Sequence, residues 1–257
     1  METLSRTSPS RILLVTGGSR GIGAAVARKA ALAGFDVAVN YASDATAAEA
    51  VARDIRAAGR RAITVKGDVS QDADVSAIFK AVDDGLGALT DLVNNAGVTG
   101  RSSRLDLADP AVIRRCIDVN VTGSILVARE AILRMAPRHG GKGGCIVNIS
   151  SVASKLGSGT DYVWYAASKG AIDTLTIGLS KELGLDGIRI NAVSPGLIDT
   201  EIHDKSSLDA ARVERYRPMV PMGRIGHAQE IADAVLYLLS DAASYVSGAN
   251  LAVSGGR

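Results

Sequence analysis

Short apolar runs alternate with helix-period stretches from one end of the chain to the other. Ile12 to Val15 is a run of four apolar residues, too short for a helix and suited to a strand buried on both faces. After a glycine-rich turn, 22–33 reads as an alanine-rich helix. The same alternation predicts strands at 36–40 and 62–66 and helices at 45–58 and 72–86. Leu92-Val93 opens a fourth strand that runs into Asn94-Asn95-Ala96-Gly97. One long helix is expected over 111–135, then a strand at 145–149, a helix at 162–183 and a strand at 188–193. A last helix at 229–240 and a closing strand at 250–253 complete the pattern. Strict alternation of this kind requires right-handed crossovers and gives a parallel sheet covered by helices on both faces. No linker or internal repeat divides the chain, so one α/β domain is expected over 11–257, preceded by a polar, flexible N-terminal segment, 1–10. The least regular stretch, 197–221, follows a strand's carboxyl end and carries charges of both signs, as a lid over a ligand would.

Composition narrows the function. With 257 residues, 47% of them hydrophobic, the chain can build a sizeable core. The net charge is +2 with both signs mixed, and no basic block points to nucleic acid or an anionic membrane. Two cysteines, Cys116 and Cys145, and three scattered histidines, His139, His203 and His227, form neither a disulfide framework nor a metal-ligand pattern. The first ten residues lack the apolar centre of a signal peptide, and no apolar run approaches the length of a membrane span. A soluble cytoplasmic protein is the expectation.

The chemistry begins at Thr16-Gly17-Gly18-Ser19-Arg20-Gly21-Ile22-Gly23, which leaves the first strand and enters the first helix. That is the context of a dinucleotide-binding turn, although the spacing is Gly-x-x-x-Gly-x-Gly. Gly17 permits the tight turn, Gly21 lets the backbone approach a pyrophosphate, and Gly23 lets helix pack on strand. The helix N-terminus offers free amides to phosphate. At the end of the second strand, Val39-Asn40-Tyr41-Ala42-Ser43 places Asn40 where an acidic residue would hold the adenosine ribose. Without a carboxylate a ribose 2′-phosphate is not repelled; Arg20 can pair with it and Ser43 can donate to it. NADP is therefore expected over NAD, the alternative being a surface charge at Arg20 and a turn residue at Asn40. Asp68-Val69 after the third strand can accept from an adenine amino group and cover its ring, or serve as a turn or helix cap. Asn95, Ala96 and Gly97 suit close passage of a cofactor, an ordinary turn, or both.

In Tyr165-Ala166-Ala167-Ser168-Lys169 a phenol and an ammonium stand about one helical turn apart on one face. Free tyrosine and lysine both titrate at roughly 10. A cation held close favours phenolate, which makes Tyr165 a candidate general acid or base near neutral pH. Ser150 and Ser151, after the fifth strand, compete to donate to a substrate oxygen, and alternation along a strand end sends only one to the cleft. Asn120, between Val119 and Val121, needs polar partners. It either bonds local backbone and bends its helix or holds a water linked to Lys169. Tyr162 and Trp164 either flank a substrate or pack; Glu201 and His203 on the lid either touch it or are solvated.

Taken in order across nearly the whole chain, these motifs resemble the short-chain dehydrogenase/reductase superfamily. So do Pro195-Gly196-Leu197-Ile198-Asp199-Thr200, Arg224-Ile225-Gly226, Glu230-Ile231-Ala232 and Ser254-Gly255-Gly256. The resemblance implies a single-domain Rossmann fold with a seven-stranded parallel sheet flanked by helices on both faces. It implies NADP(H)-dependent hydride transfer between nicotinamide and a secondary alcohol or ketone, a small-molecule substrate. Tyr165 would exchange the proton, Ser151 would steady the oxygen, Lys169 would bind the nicotinamide ribose and lower the tyrosine's pKa, and Asn120 would position a relay water. Pro195, Gly196, Ile198 and Thr200 would line the nicotinamide and its phosphate. The small apolar pair Val152-Ala153 favours Ser151 over Ser150. The interval from Ser151 to Tyr165 is one residue longer than the family's commonest, so an enlarged loop over 154–163 is expected beside the substrate.

In general look the chain is similar to 3-oxoacyl-carrier-protein reductases and to sugar or polyol dehydrogenases. Asp186, where the former tend to carry arginine, disfavours an acidic carrier. An NAD-dependent sugar or polyol dehydrogenase is the alternative. A non-catalytic nucleotide sensor, and a dehydratase or epimerase, are rivals on the same fold. The surviving serine, tyrosine and lysine argue against the sensor, and the lack of room for a longer substrate domain argues against the other two. By analogy, the helices carrying Asn120 and Tyr165 and the C-terminal strand imply a homotetramer.

Overall fold

Strand β1 (Ile12–Val15) sends its side chains alternately to two cores, Leu13 and Val15 to one and Ile12 and Leu14 to the other. The computed structural model to which it belongs describes residues 11–200 and 215–257. The expectations for 1–10, for Glu201 and His203, and for most of the lid lie outside the described residues.

The remaining strands are β2 (Asp36–Tyr41), β3 (Ala62–Lys66), β4 (Asp91–Asn94), β5 (Gly144–Ile149), β6 (Ile188–Pro195), β7 (Ile198–Asp199), β8 (Gly226–His227) and β9 (Asn250–Val253). Seven of them form one sheet in the order β3-β2-β1-β4-β5-β6-β9, every pairing parallel. Val15 lies opposite both Val39 and Val93, and Ile149 lies opposite Val193, so the strands' carboxyl ends share one edge. The chain reverses its winding between β1 and β4, which opens the crevice where doubly wound sheets bind ligands.

Helices α1 (Gly21–Leu32) and α2 (Ala45–Ala57) cover one face. There the small side chains of Ala24, Ala27, Ala30 and Ala31 let α1 lie close to the sheet. Helix α3 (Asp72–Gly85) covers the other face with Val75, Ile78, Phe79 and Val82. Residues such as Phe79, Leu92, Ile146 and Ile190 are fully buried, and each stabilises the fold by about 1.5–3 kcal/mol. The amino edge of the sheet is held by charge. The buried carboxylate of Asp91 accepts from Arg11 Nε at 3.0 Å, and that guanidinium lies 4.4 Å from the Phe35 ring centre.

The helix expected over 111–135 is one rod with a fault in it. Helix α4 (Pro110–Ile117) passes through a π-helical turn, Asp118–Gly123, into α5 (Ser124–Met135). The wider turn carries Asn120 fully inside, and a Cβ on Gly123 would stand 2.8 Å from the Val69 carbonyl oxygen. Helix and loop therefore approach more closely than an ordinary turn allows. A single helical turn, α6 (Ala153–Leu156), precedes α7 (Val163–Glu182), and α8 (Ala228–Leu239) returns to the α1 face. The two-residue strands β7 and β8 pair only with each other and were too short to show a period. Among the described residues no helix is long and apolar enough to cross a membrane.

Candidate active site

The glycine loop is fixed from both sides before anything binds it. Thr16 Oγ1 accepts from the Asn95 and Ala96 amides at 2.9 and 3.0 Å, and Asn95 Nδ2 donates to the carbonyls of Thr16 and Gly17 at 2.8 and 3.1 Å. Gly17 holds φ +61°, a left-handed turn that favours glycine. A Cβ on Gly23 would lie 2.4 Å from the Gly17 oxygen, so the close packing of helix on loop needs glycine at this position. Above the loop there is room. Gly21 has φ +52°, and a Cβ there would meet nothing nearer than Thr200 at 3.5 Å. Helix α1 starts at this point with no side-chain cap and no acidic residue in its first turn. Its first amides thus have no intrahelical partner and share the positive end of the helix dipole. Ser19, Arg20 and Ile22 belong to the same turn, and Gly97, Pro195, Gly196, Ile198 and Thr200 line the cleft beyond it. These residues fit a bound dinucleotide.

Asn40 has a different task from the one its position suggested. Its side chain is buried, accepts from the Gly17 amide at 3.2 Å and donates to the carbonyls of Val65 and Gly67 at 3.2 and 3.0 Å. It clamps the glycine loop to β2 and β3, which commits its carboxamide to backbone groups. The outward residues at this strand end are Tyr41, half-buried, and Ser43, exposed. We therefore expect Asn40→Asp not to switch preference toward NADH. A carboxylate cannot donate to two carbonyls, and leaving them unpaired costs about 1–3 kcal/mol. Melting temperature and affinity for both nucleotides should fall together, as calorimetry would show; a selective gain for NADH would refute this role.

Asp68 forms a turn and an ion pair. Its carboxylate accepts from the Ser70 amide and hydroxyl at 3.0 and 2.8 Å and from Arg115 Nη2 at 2.7 Å. Burial raises its pKa, but the Arg115 and Ser70 donors outweigh burial and hold it below the usual value. Val69 beside it is buried.

The catalytic candidates converge at the ends of β5 and α7. Tyr165 and Lys169 share a face of α7, with Nζ 5.7 Å from the tyrosine ring centre. Lys169 is 5% exposed and its ammonium donates to the Ile149 carbonyl at 2.7 Å. Of the two serines, Ser150 is buried and donates to Asp173 Oδ1 at 2.6 Å. Ser151 lines the cavity and accepts from the Ala153 amide at 3.1 Å, while its O–H has no acceptor among the described residues. Asn120 spends its side chain on the backbone around the cofactor strand. Oδ1 accepts from the Val98 amide at 2.8 Å, and Nδ2 lies 2.9 Å from the Val98 carbonyl and 3.0 Å from Ser168 Oγ. Trp164 Nε1 donates to the Thr99 carbonyl and its ring packs with Cys116 and Tyr162, so it is a packing residue. Asp186 is ion-paired with Arg138.

Burial lowers the Lys169 pKa to about 8. The sign of the effect on stability follows. The folded pKa lies below lysine's ordinary 10.5, so the unfolded chain binds more protons between those values and stability contributed by this site rises with pH across that window. Below about 8 the full cost of burying the ammonium is present. In the nucleotide-free protein, any stability advantage of Lys169→Met should shrink as pH is raised from 7.5 toward 10.5. A pH-independent difference in denaturant midpoints would contradict it.

Sequence reading missed part of the lining of the cavity, which measures about 530 Å³. There the nearly buried Asp161 accepts from the Tyr216 hydroxyl at 2.6 Å and pairs with Arg215 at 3.3 Å. Burial, and then the Asp161 carboxylate, push the Tyr216 phenol up, so it stays a donor. The cavity thus holds two phenols in opposite fields, Tyr165 beside an ammonium and Tyr216 against a carboxylate. The contact spans 55 positions along the chain, so no local pattern could have shown it. The loop between α6 and α7 carries Ser158 and Thr160 at φ +47° and +67°. For a β-branched residue such as Thr160 this is strained backbone.

Comparison with known proteins agrees with this geometry. Residues 17–257 match the family model described as "Enoyl-(Acyl carrier protein) reductase". The chain is 49% identical over 246 residues to the uncharacterized oxidoreductase YgfF of Escherichia coli K12, covering 96% of this chain and 99% of that one. It is 36% identical to the L-rhamnose 1-dehydrogenase (NAD(P)(+)) of Sphingomonas sp. SKA58, covering 96% and 95%. A short chain dehydrogenase from Burkholderia cenocepacia J2315, solved in complex with NADP, superposes with a TM-score of 0.88 at 36% identity, covering 98% of this chain and 99% of that one. Glycine crevice, parallel sheet and Ser-Tyr-Lys cluster occur together because this chain belongs to the short-chain dehydrogenase/reductase superfamily of oxidoreductases acting on CH–OH groups.

Proposed function

We propose that the chain is an NADP(H)-dependent oxidoreductase that interconverts a ketone and a secondary alcohol, with Tyr165 as the proton donor and acceptor. The observation that carries this is the placement of Ser151, Tyr165 and Lys169 on one cavity with Gly97, Pro195, Gly196 and Thr200. When bound, the nicotinamide supplies or receives the hydride. Ser151 directs its unengaged O–H at the substrate oxygen, and Tyr165 gives that oxygen its proton in reduction and takes it back in oxidation. The Lys169 ammonium stabilises the phenolate that remains. The α1 amides, with Arg20, hold the phosphates, and the β2 end presents Tyr41 and Ser43 rather than a carboxylate to the adenosine ribose. Use of NADP is supported by the Burkholderia relative.

The same reading makes the protein a homotetramer. Ile125 on α5 and Ile177 on α7 are 45% and 48% exposed, and Leu251 on β9 is also outward, apolar surface that a second and third copy would cover. The test is titration calorimetry with NADPH and NADH, followed by an NADPH-oxidation assay over ketones, diketones, sugars and quinones, with light scattering on the same sample. NADPH should bind at least about tenfold tighter, equivalent to ~1.4 kcal/mol, and a ketone should be reduced. Equal affinity would refute the cofactor assignment, silence across the panel the reaction, and a monomeric mass the assembly.

A further inference from the structure

Beside Asp161 and Tyr216, the cavity is lined by Arg257. Two guanidiniums approach the Tyr216 ring, Arg215 at 4.9 Å and Arg257 at 4.8 Å from its centre. Like charges held at one ring repel each other, and the side-chain carboxylate beside them is that of Asp161. That carboxylate is already engaged by Arg215 and the Tyr216 hydroxyl. Arg257 has only the ring. Its own main-chain oxygen is turned back to accept from Ser254 Oγ at 2.9 Å. Among the described residues no acceptor lies within hydrogen-bond or ion-pair distance of its guanidinium. Arginine at a protein surface stays solvated at little cost, but this one lines the cavity that also holds Tyr165 and Ser151. Val152, Ala153, Leu156, Leu197 and Met219 give the same cavity an apolar lining beside the polar Thr99, Ser158 and Asp161. A cavity that offers a proton donor, an apolar lining and a lone guanidinium selects a molecule carrying the matching three features.

We propose that Arg257 is the specificity residue of the pocket and that the substrate is a hydroxy- or oxo-carboxylate with an apolar carbon body, its carboxylate on Arg257 and its carbinol or carbonyl carbon at Tyr165. A carboxylate matches one fork of one guanidinium; a dianionic phosphate would need a second free cation on this wall, and Arg215 is committed. The substrate class rests on the oxidoreductase reading above, but the anion site does not.

Binding separates the two. Protein saturated with NADP⁺ is titrated with benzoate and with benzamide, its neutral isostere, for wild type, Arg257→Gln and Arg257→Lys. Benzoate should bind wild type at least about tenfold tighter, Arg257→Gln should bring the ratio near one, and Arg257→Lys should keep part of it, losing the fork but not the charge. Equal binding of the two probes to wild type, or a preference for benzoate that survives Arg257→Gln, overturns the proposal. In parallel, wild type is assayed with an oxo-carboxylate and its methyl ester. A lower KM for the acid at similar kcat is the expected result, and a ratio of kcat/KM near one overturns the substrate class. If neither is reduced while benzoate still discriminates, the oxidoreductase reading fails and the carboxylate site stands.

Discussion

Phenylalanine in place of Tyr165 should cut NADPH-driven carbonyl reduction by about a thousandfold, within the 10²–10⁴ range of a lost general acid. Nucleotide affinity should change by no more than about twofold, because the hydroxyl is the only group removed and the ring keeps its edge-on contact with Tyr162, 5.4 Å between centres. The loss should sit in kcat at every pH, since no neighbour can take over. Tyr216 lines the same cavity, but burial and the Asp161 carboxylate hold its proton, and Tyr162 is buried in the packing cluster. Single-turnover measurement at saturating NADPH isolates the step. Near-wild-type turnover by Tyr165→Phe would remove the tyrosine from the chemistry and leave a nucleotide-binding protein without an assigned acid.

Alanine at Gly23 should be nearly as damaging and for an unrelated reason. Its methyl would stand 2.4 Å from the Gly17 carbonyl oxygen and 2.6 Å from Asn95 Nδ2, and those two atoms are bonded to each other. Helix α1 must back away, and the Asn95 clamp on the loop must open. Overpacking of this kind costs about 1–3 kcal/mol. If the displaced amides hold the phosphates, as proposed, the cost should appear twice, as a lower melting temperature and as roughly ten- to hundredfold weaker binding of NADPH. Differential scanning fluorimetry with and without nucleotide checks both. Unchanged affinity would mean that the crevice tolerates a retreating helix and that the loop is not the phosphate site.

Much of this was legible in the chain because the governing rules are local. The strands Ile12–Val15, Ala62–Lys66 and Asn250–Val253 are short runs rich in apolar or β-branched residues, and the structure returns them with those bounds. Glycines at 17, 21 and 23 announce a turn that only glycine permits. Tyr165 and Lys169 meet because helical geometry makes neighbours of residues four apart. What stayed hidden was set by contacts between distant parts. Asn40 was one residue from the surface it was expected to serve, and strand alternation turned it inward to Gly17, Val65 and Gly67. The π turn at Asp118–Gly123 answers to Val69 and Val98, neither of them on its own helix. The wall of Asp161, Tyr216 and Arg257 joins three segments with no shared period.

The three-sided clamp of Thr16, Asn40 and Asn95 has a consequence for how the dinucleotide is met. A loop already held by bonds from side chains to its backbone has little freedom left to surrender when a ligand lands, so the entropic toll of shaping it was met during folding rather than at the encounter. On the proposed reading, affinity is then decided by the electrostatics of the arriving phosphates, and tuning it calls for changes at the rim of the crevice, at Arg20, Tyr41 and Ser43, with the asparagines beneath left alone.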